Sequence, residues 1–251
     1  MITKWKILGS LLAMATAVSL AHAVDVDIVV VPGADQATKT TNSTTVLNNW
    51  ISANFSGSVA VSLETFDGVS LGAATNLSTP AGNFTAGGLG GENVPPSTGG
   101  VEFRILNSST TPFSGRFDIT SGGSGRWLDS NDITQISFVP DGSLTSLYFF
   151  ISDANDVGGH LQLEITTTGG PLSPVLIPAS QPNGSLYFVG IRNFSPGEIT
   201  EIKLVQSNRH DGYGLDRFGT VGPVPEPSTL GLMGLGLVGL MVRFRRRPKR
   251  Q

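Results

Sequence analysis

The stretch Leu144–Thr166, which reads LTSLYFFISDANDVGGHLQLEIT, contains two strand-like runs separated by a short polar segment. The first run, Leu144–Ile151, is mostly apolar and rich in aromatic side chains, which favour strands. The second run, His160–Thr166, alternates apolar and polar residues, so one face of the strand is apolar. Asp, Asn and Gly residues between the runs are typical of a turn. The stretch therefore predicts two strands joined by a polar loop.

Seven further runs between residues 24 and 224 bring the number of predicted strands to about nine. They are Val26–Val31, Ser58–Glu64, Val101–Leu106, Gly115–Thr120, Ile133–Val139, Ser185–Ile191 and Ile199–Gln206. Turn clusters separate the runs, and 32 glycines with 15 prolines argue against a fold dominated by long helices. We therefore predict an all-β protein with a single, jelly-roll-like β-sandwich. One short helix is predicted at Thr45–Ser52, and a long surface loop at Ala86–Gly100.

The N-terminus has the three parts of a secretory signal peptide in the expected order. Lys4 and Lys6 precede an apolar segment from Ile7 to Leu20, and the small-x-small sequence at residues 21–23 follows. Cleavage is predicted after Ala23, so residues 1–23 are a signal peptide for the general secretion route. The alternative is a short buried N-terminal helix.

The C-terminus has a second apolar segment, Leu230–Val242, placed between a Pro-Glu-Pro sequence and a basic cluster. Fifteen residues of helix from residue 228 span about 22 Å, less than the roughly 30 Å hydrocarbon core, and long arginine side chains can cover the mismatch. The cluster, which includes Arg243, Arg245, Arg246 and Arg247, stays in the cytoplasm by the positive-inside rule. The preceding body is therefore exported. A basic segment directly behind an apolar run is explained better by a membrane anchor than by an arm that binds phosphate. No nucleic-acid partner is therefore predicted.

The order of features from Val224 to Arg250 resembles the PEP-CTERM sorting domain of exported bacterial proteins. The resemblance implies recognition by an exosortase, a membrane transpeptidase-like enzyme, with removal of the anchor near Pro225, Glu226 and Pro227. It also implies a producer of exopolysaccharide with a Gram-negative-type envelope. A single-pass anchored protein with an uncleaved tail is the alternative. Four blocks of the body also look like ones shared by many PEP-CTERM proteins: residues 115–117, 127–132, 152–159 and 211–216.

The segment between the two signals, residues 24–224, is long enough for one domain with a sizeable core, and residues 225–251 form the sorting signal. This body carries 18 acidic and 8 basic residues, and the chain has no cysteine. Disulfides and thiolate chemistry are therefore excluded. The acidic balance disfavours nucleic acid and anionic lipid as partners and is compatible with divalent cations.

The body has few residues of the types that catalysis needs. His160 and His210 are its two histidines, and no Gly-x-Ser-x-Gly sequence marks a nucleophile. Two isolated histidines cannot supply a zinc site. Paired carboxylates for glycoside hydrolysis stay open, because sequence does not show which acids face each other. We predict that the protein is not an enzyme.

Calcium is the one cofactor that the sequence suggests. Asp153, Asn155 and Asp156 offer carboxylate and amide oxygens on a Gly-terminated loop, as hard cations require. Asp129 with Asp132, or Asp211 with Asp216, could complete such a site in space. The complete calcium-loop pattern is not present, because Val157 occupies a ligand position. The alternative is that these residues form tight turns with Asx hydrogen bonds.

Sugar binding uses exposed aromatic rings as stacking platforms, and Trp127 is the main candidate because it lies between a Gly/Ser loop and an Asp/Asn cluster. Packing in the core is the alternative. From these features we predict a structural or interaction protein, exported through the inner membrane and anchored there before sorting. Its destination is the cell surface or the exopolysaccharide matrix, with exosortase, the secretion machinery and exopolysaccharide as partners. The alternatives are a calcium-dependent carbohydrate-binding module and a glycan-processing enzyme.

Overall fold

The computed structural model describes residues 24–91, 101–120, 125–179 and 181–223. The predicted signal peptide, most of the predicted loop at Ala86–Gly100 and the sorting segment after residue 223 lie outside the described residues. No helix in the described part of the chain is both long enough and apolar enough to cross a membrane.

The described residues form fifteen strands and one long helix. In chain order they are β1 (Asp25–Val30), α1 (Gln36–Asn54), β2 (Ser58–Glu64), β3 (Gly72–Ala74), β4 (Asn76–Thr79), β5 (Gly82–Gly87), β6 (Phe103–Asn107), β7 (Arg126–Asp129), β8 (Gln135–Pro140), β9 (Leu147–Ser152), β10 (Leu161–Thr167), β11 (Gly170–Pro171), β12 (Val175–Leu176), β13 (Leu186–Arg192), β14 (Ile199–Gln206) and β15 (Gly214–Pro223).

The strands form two antiparallel sheets that pack face to face. The first sheet has the order β1-β13-β9-β15-β7-β6-β3, and β2 also pairs with β15. The second has the order β11-β10-β14-β8-β5-β4, and β12 also pairs with β10. This arrangement confirms the predicted all-β sandwich.

Aromatic rings from both sheets meet in the core. Phe218 of β15 stacks on Phe149 of β9 at a centroid distance of 4.8 Å. Phe84 of β5 stacks on Phe138 of β8 at 4.5 Å and makes an edge contact with Phe218 at 5.1 Å. All four side chains are at most 1% exposed. Burial of such large apolar surfaces, with favourable ring geometry in addition, holds the sheets together.

Helix α1 is longer than the segment predicted at Thr45–Ser52. Asp35 caps its N-terminus by accepting a hydrogen bond from the Thr38 N–H at 2.8 Å. Trp50 packs edge-on against Phe188 of β13 at 5.3 Å. The sequence of α1 is rich in Thr, Asn and Ser, which are weak helix formers, so tertiary packing extends the helix beyond what local propensity indicates.

The prediction of a strand at Gly115–Thr120 is wrong, because this segment is irregular. Its backbone donors bond to side chains instead of a neighbouring strand: the Ile119 N–H donates to Asp216 Oδ2 at 2.8 Å, and the Phe117 N–H to Ser152 Oγ at 3.4 Å. The ten-residue strand β15 was not predicted. Its sequence, GLDRFGTVGP, contains three glycines and a proline, which interrupt the local strand pattern.

Three connections cross between the sheets at the same end of the sandwich: residues 130–134, 153–160 and 207–213. The register shows that these ends coincide. Gly214, the first residue of β15, pairs with both Ser152 at the end of β9 and Asp129 at the end of β7. Since each connection is rich in Asp and Asn, the fold concentrates acidic side chains at this end.

Candidate functional site

A buried arginine lies among the acidic connections. The Arg116 guanidinium contacts Asp129 Oδ1 at 2.9 Å and Asp132 Oδ1 at 2.6 Å through its two terminal nitrogens. Its Nε lies 3.6 Å from Asp153 Oδ2, which is too long for a hydrogen bond. Arg116 is 6% exposed, and none of the three carboxylate residues exceeds 4%. The acids that the sequence suggested for a metal therefore surround a cation supplied by the chain itself.

Local backbone geometry aims the first two carboxylates at Arg116. Asp129 also accepts hydrogen bonds from the Asn131 N–H at 2.8 Å and from Trp127 Nε1 at 3.2 Å. Asn131 and Asp132 have φ values of 52° and 60°, in the left-handed region that Asn and Asp tolerate better than most residues. Burial alone would lower the pKa of Arg116, but the surrounding carboxylates raise it, so this side chain stays charged.

Two glycines make room for the ion cluster. A Cβ atom at Gly115 would lie 2.0 Å from Asp153 Oδ1, and one at Gly212 would lie 2.3 Å from a terminal nitrogen of Arg116. Gly115 also has a φ of 90°, which side chains other than glycine rarely adopt. The glycines in the blocks at residues 115–117 and 211–216 therefore serve close packing around the guanidinium.

Asp153, which lies beside Arg116 Nε, is held in place by the connection before β13. Its N–H donates to the Ser185 carbonyl at 2.8 Å, and its Oδ1 accepts from the Gly184 N–H at 2.7 Å. Burial, together with the charges of Asp156 and Asp211, raises the pKa of Asp153 to about 7, although the hydrogen bond from Gly184 and the charge of Arg116 act to lower it. One guanidinium therefore does not fully compensate all the acids at this end.

Asp211 shows the same excess of acid. It is fully buried, and its Oδ2 accepts a hydrogen bond from the Gly159 N–H at 3.3 Å. Its Oδ1 makes no hydrogen bond within the described part of the structure. Burial, followed by the charge of neighbouring Asp156, raises the pKa of Asp211 to about 6. Asp211 therefore binds a proton at a higher pH than an exposed aspartate does.

The side chain of Asn155, in the proposed calcium loop, forms hydrogen bonds with the backbone. Its amide nitrogen donates to the Ile177 carbonyl at 3.0 Å, and its amide oxygen accepts from the Leu161 N–H at 2.6 Å. These bonds leave the carboxylates of Asp153 and Asp156 in the predicted loop, and Asp153 already accepts from Gly184 and lies beside Arg116. Among the described residues, no group of three or more His, Cys, Asp or Glu side chains is arranged to hold a metal ion. The role of the loop in calcium binding stays a prediction.

The aromatic residues considered for sugar stacking are all interior. Trp127 is 1% exposed, so neither face of its indole is open to a sugar, and its Nε1 is bonded to Asp129. Trp127 is therefore a core residue in this structure, which corrects its assignment as a stacking platform. The other candidates are at most 6% exposed: Trp50, Tyr148, Tyr187 and Tyr213.

An open polar cleft of about 220 Å³ lies above the ion cluster. At its edge, the half-buried Phe113 ring lies 3.9 Å from Arg116 Cζ, in a cation–π contact. Asn183 Nδ2 donates to Ser114 Oγ at 3.0 Å. The lining residues are Pro112, Phe113, Ser114, Arg116, Asp153, Asp156, Val157, Asn183, His210 and Gly212. Sequence reasoning missed Phe113, Ser114 and Asn183, although two of them directly precede the block at residues 115–117.

Residues 223–247 match the family model of the PEP-CTERM protein-sorting motif. The match confirms the predicted resemblance of the C-terminal segment to the PEP-CTERM sorting domain. The chain therefore carries a sorting signal that indicates export and sorting at the membrane. No curated protein matches the chain in sequence.

Several solved structures resemble the body weakly. They include a family 6 carbohydrate-binding module from LamC of Zobellia galactanivorans (14% identity, 65% of this chain, 98% of that chain, TM-score 0.24). Another is the module CBM6cm-2 from Cellvibrio mixtus lichenase 5A, solved with cellotriose (13% identity, 66% of this chain, 98% of that chain, TM-score 0.24). A third is an exo-β-agarase (16% identity, 65% of this chain, 25% of that chain, TM-score 0.32). The matched part spans 20% of the bacteriophage CBA120 tailspike protein 4 domain and 25% of the agarase.

We predict that Arg116→Met destabilises the fold by about 3–5 kcal/mol, because it leaves buried carboxylates without their cation. Urea unfolding of the purified protein measures the change. Arg192→Met is the matched control, since its partly exposed side chain pairs with Asp25 at 2.7 Å and Asp27 at 3.2 Å. That exposed pairing is worth about 0–1 kcal/mol. Equal losses in the two variants would contradict the central role of Arg116.

We also predict that Asp153→Asn makes the protein more stable than wild type near pH 8. The raised pKa means that the contribution of Asp153 to stability is fully present below the unfolded value of about 3.9 and is lost as pH rises through about 7. The melting-temperature advantage of the variant should therefore grow between about pH 4 and pH 7 and then stay constant.

Asp141→Asn is the control for this pH series. Hydrogen bonds from Ser143 lower the pKa of Asp141, so its contribution is lost only in acid and should not change between pH 5 and pH 8. A melting-temperature difference between Asp153→Asn and wild type that does not vary with pH would contradict the uncompensated burial of Asp153.

Proposed function

We propose that the protein is an exosortase-processed protein of the cell surface or exopolysaccharide matrix, which acts by binding and not by catalysis. The position of the sorting motif, directly after the last strand, is the main support for this proposal. Strand β15 ends at Pro223, and the sorting motif occupies residues 223–247. The entire described body therefore precedes the motif, so cleavage near Pro225 releases one intact folded domain.

The charge distribution supports this topology. The basic cluster after the apolar segment favours the cytoplasmic side, and the body that precedes it carries 18 acidic and 8 basic residues. An acidic body is repelled by the anionic surface of a membrane once the anchor is removed. Release into the surrounding matrix is therefore favoured over adsorption to the inner membrane.

The side-chain geometry favours binding over catalysis. Asp129 and Asp132 are buried and paired with Arg116, so their carboxylates are held in place by the fold and do not line the cleft. Ser207 Oγ lies 3.1 Å from His160 Nδ1, but it also accepts the His160 N–H at 3.0 Å. Both residues are exposed, outside the cleft, so this contact has the form of a surface turn.

We predict that the mature protein begins at Val24 and lacks the segment from Leu230 to Gln251. Both ends follow from the signal peptide and the sorting motif. Intact-mass measurement of protein recovered from the matrix tests this prediction, with the membrane-bound precursor as the control. A matrix-associated form whose mass retains the apolar segment and the basic cluster would contradict release.

The second candidate function is carbohydrate binding in the cleft. A carbohydrate presents hydroxyl groups that pair with amide and carboxylate side chains, and an aromatic ring at the rim can cover a sugar face. Asn183, Asp156 and Phe113 offer these groups in the cleft. The excess of carboxylates favours an uncharged glycan over an acidic one, because like charges repel. Calcium dependence of this binding follows if Asp153 and Asp156 also hold the ion.

We predict that Phe113→Ala and Asn183→Ala each weaken glycan binding by about tenfold, since each removes a contact worth roughly 1–2 kcal/mol. Glycan-array binding, with calcium and then with a chelator, provides the measurement. Asn42→Ala is the control, because Asn42 is partly exposed, lies outside the cleft and donates one hydrogen bond, to the Pro32 carbonyl at 2.8 Å. Unchanged binding in both cleft variants would exclude the cleft as the glycan site.

A further inference from the structure

The last strand of the body ends against the strand that follows helix α1. In the ladder between β15 and β2, Val221 pairs with Ala60, Gly222 with Val59, and Pro223 with Ser58. Among the described strands, β2 pairs only with β15. The sorting motif therefore begins at a defined position on the surface of the body.

The spacing between this ladder and the Pro-Glu-Pro sequence is very short. Pro225 follows Pro223 by two residues, and an extended chain spans at most about 3.5 Å per residue. The first residue of the Pro-Glu-Pro sequence therefore lies within about 7 Å of the end of β15. An enzyme whose active site encloses this sequence must also contact the body.

Side-chain hydrogen bonds fix the end of β15. The Val221 N–H donates to Ser146 Oγ at 3.0 Å, and Thr220 Oγ1 donates to the Ser146 carbonyl at 2.8 Å. Ser146 itself is 1% exposed, so the anchor is inside the fold. The end of β15 is therefore fixed to the body, and one residue, Val224, separates it from the Pro-Glu-Pro sequence.

This face differs chemically from the rest of the body. No charged residue or histidine occurs from Thr40 to Leu63 or from Phe218 to Pro223, although the body contains 18 acidic residues. A groove of about 380 Å³ lies between the end of α1 and the start of β2, and Ile51, Phe55 and Val59 are among its lining residues. Val59 is 38% exposed and Val61 is 40% exposed.

We propose that the neutral face, formed by Ile51, Phe55 and Ser58–Val61, is the surface of the body that docks against the membrane-embedded sorting enzyme. This inference rests on the proposed exosortase processing. Contact with the enzyme removes water from the face, and the absence of charge avoids the cost of burying an unpaired ion. The acidic residues at the opposite end stay in water during processing.

The test places a charge on the neutral face of the full-length precursor. Val59→Glu and Val59→Lys should each slow removal of the tail by about tenfold or more, because docking would bury an unpaired charge. Pulse–chase labelling in the producing cell gives the rate of tail removal. Val29→Glu and Val29→Lys are the matched controls, since Val29 is 40% exposed on β1, another edge strand of the same sheet. They should be processed at the wild-type rate.

A second set of variants separates docking from misfolding. A ten-residue Gly/Ser spacer after Pro223 adds up to about 35 Å of reach, so the enzyme no longer needs to touch the face. In this background, Val59→Glu should be processed at the same rate as its parent. Resistance of each precursor to limited proteolysis checks that the body is folded. Slow processing that persists with the spacer would overturn the proposal, because the effect would then arise within the body.

The remaining outcomes are also decisive. Wild-type rates for both Val59 variants would overturn the docking surface. Slow processing of Val59→Glu but not of Val59→Lys would identify anionic lipid headgroups as the contact, and would overturn the assignment to the enzyme. If wild-type precursor itself keeps its tail, the proposed processing fails, and this result is distinct because it does not depend on position 59.

Discussion

The buried guanidinium of Arg116 is the interaction on which the acidic end of the sandwich depends. It binds Asp129 at the end of β7 and Asp132 in the following connection, and it lies beside Asp153 at the end of β9. These three acids belong to two different crossings between the sheets. Without a cation among them, bringing the crossings together would bury several unpaired carboxylates, which costs several kcal/mol for each ion. The arginine itself comes from an irregular segment, so the ion pairs also fix that segment to the sheets.

The acidic end contains more carboxyl groups than one arginine can neutralise. The fold reduces the remaining negative charge in other ways. The raised pKa values of Asp153 and Asp211 favour protonation near neutral pH, which removes part of the charge. Asp216 is also fully buried, and burial together with the neighbouring Asp118 raises its pKa well above the usual range. Its carboxylate nevertheless accepts backbone N–H groups from Ile119 and Arg217, so it replaces strand pairing in the segment that sequence reasoning took for a strand. The polar cleft above this cluster is thus built on a rigid base with a surplus of hydrogen-bond acceptors.

The two ends of the sandwich therefore have opposite properties. One end gathers the acidic crossings around Arg116 and opens into a polar cleft lined by carboxylate and amide side chains and the Phe113 ring. The other end has no charged side chain in α1 after Lys39 or in the last six residues of β15, and it leads directly into the sorting motif. The length of the strands therefore separates the cleft from the surface next to the sorting motif.

Local sequence alone determined the all-β class, the position of most strands and the sorting motif, because alternation, turn residues and an apolar segment with basic flanks depend only on neighbouring residues. It also identified the acidic blocks, but not what they surround. Tertiary structure decided that Arg116 is their cation, that Trp127 is buried and that Asn155 supports a turn, since each depends on residues distant in the chain. It also decided the length of α1 and the existence of β15. Packing against neighbouring strands overrides weak helix propensity in the first case and a glycine-rich pattern in the second.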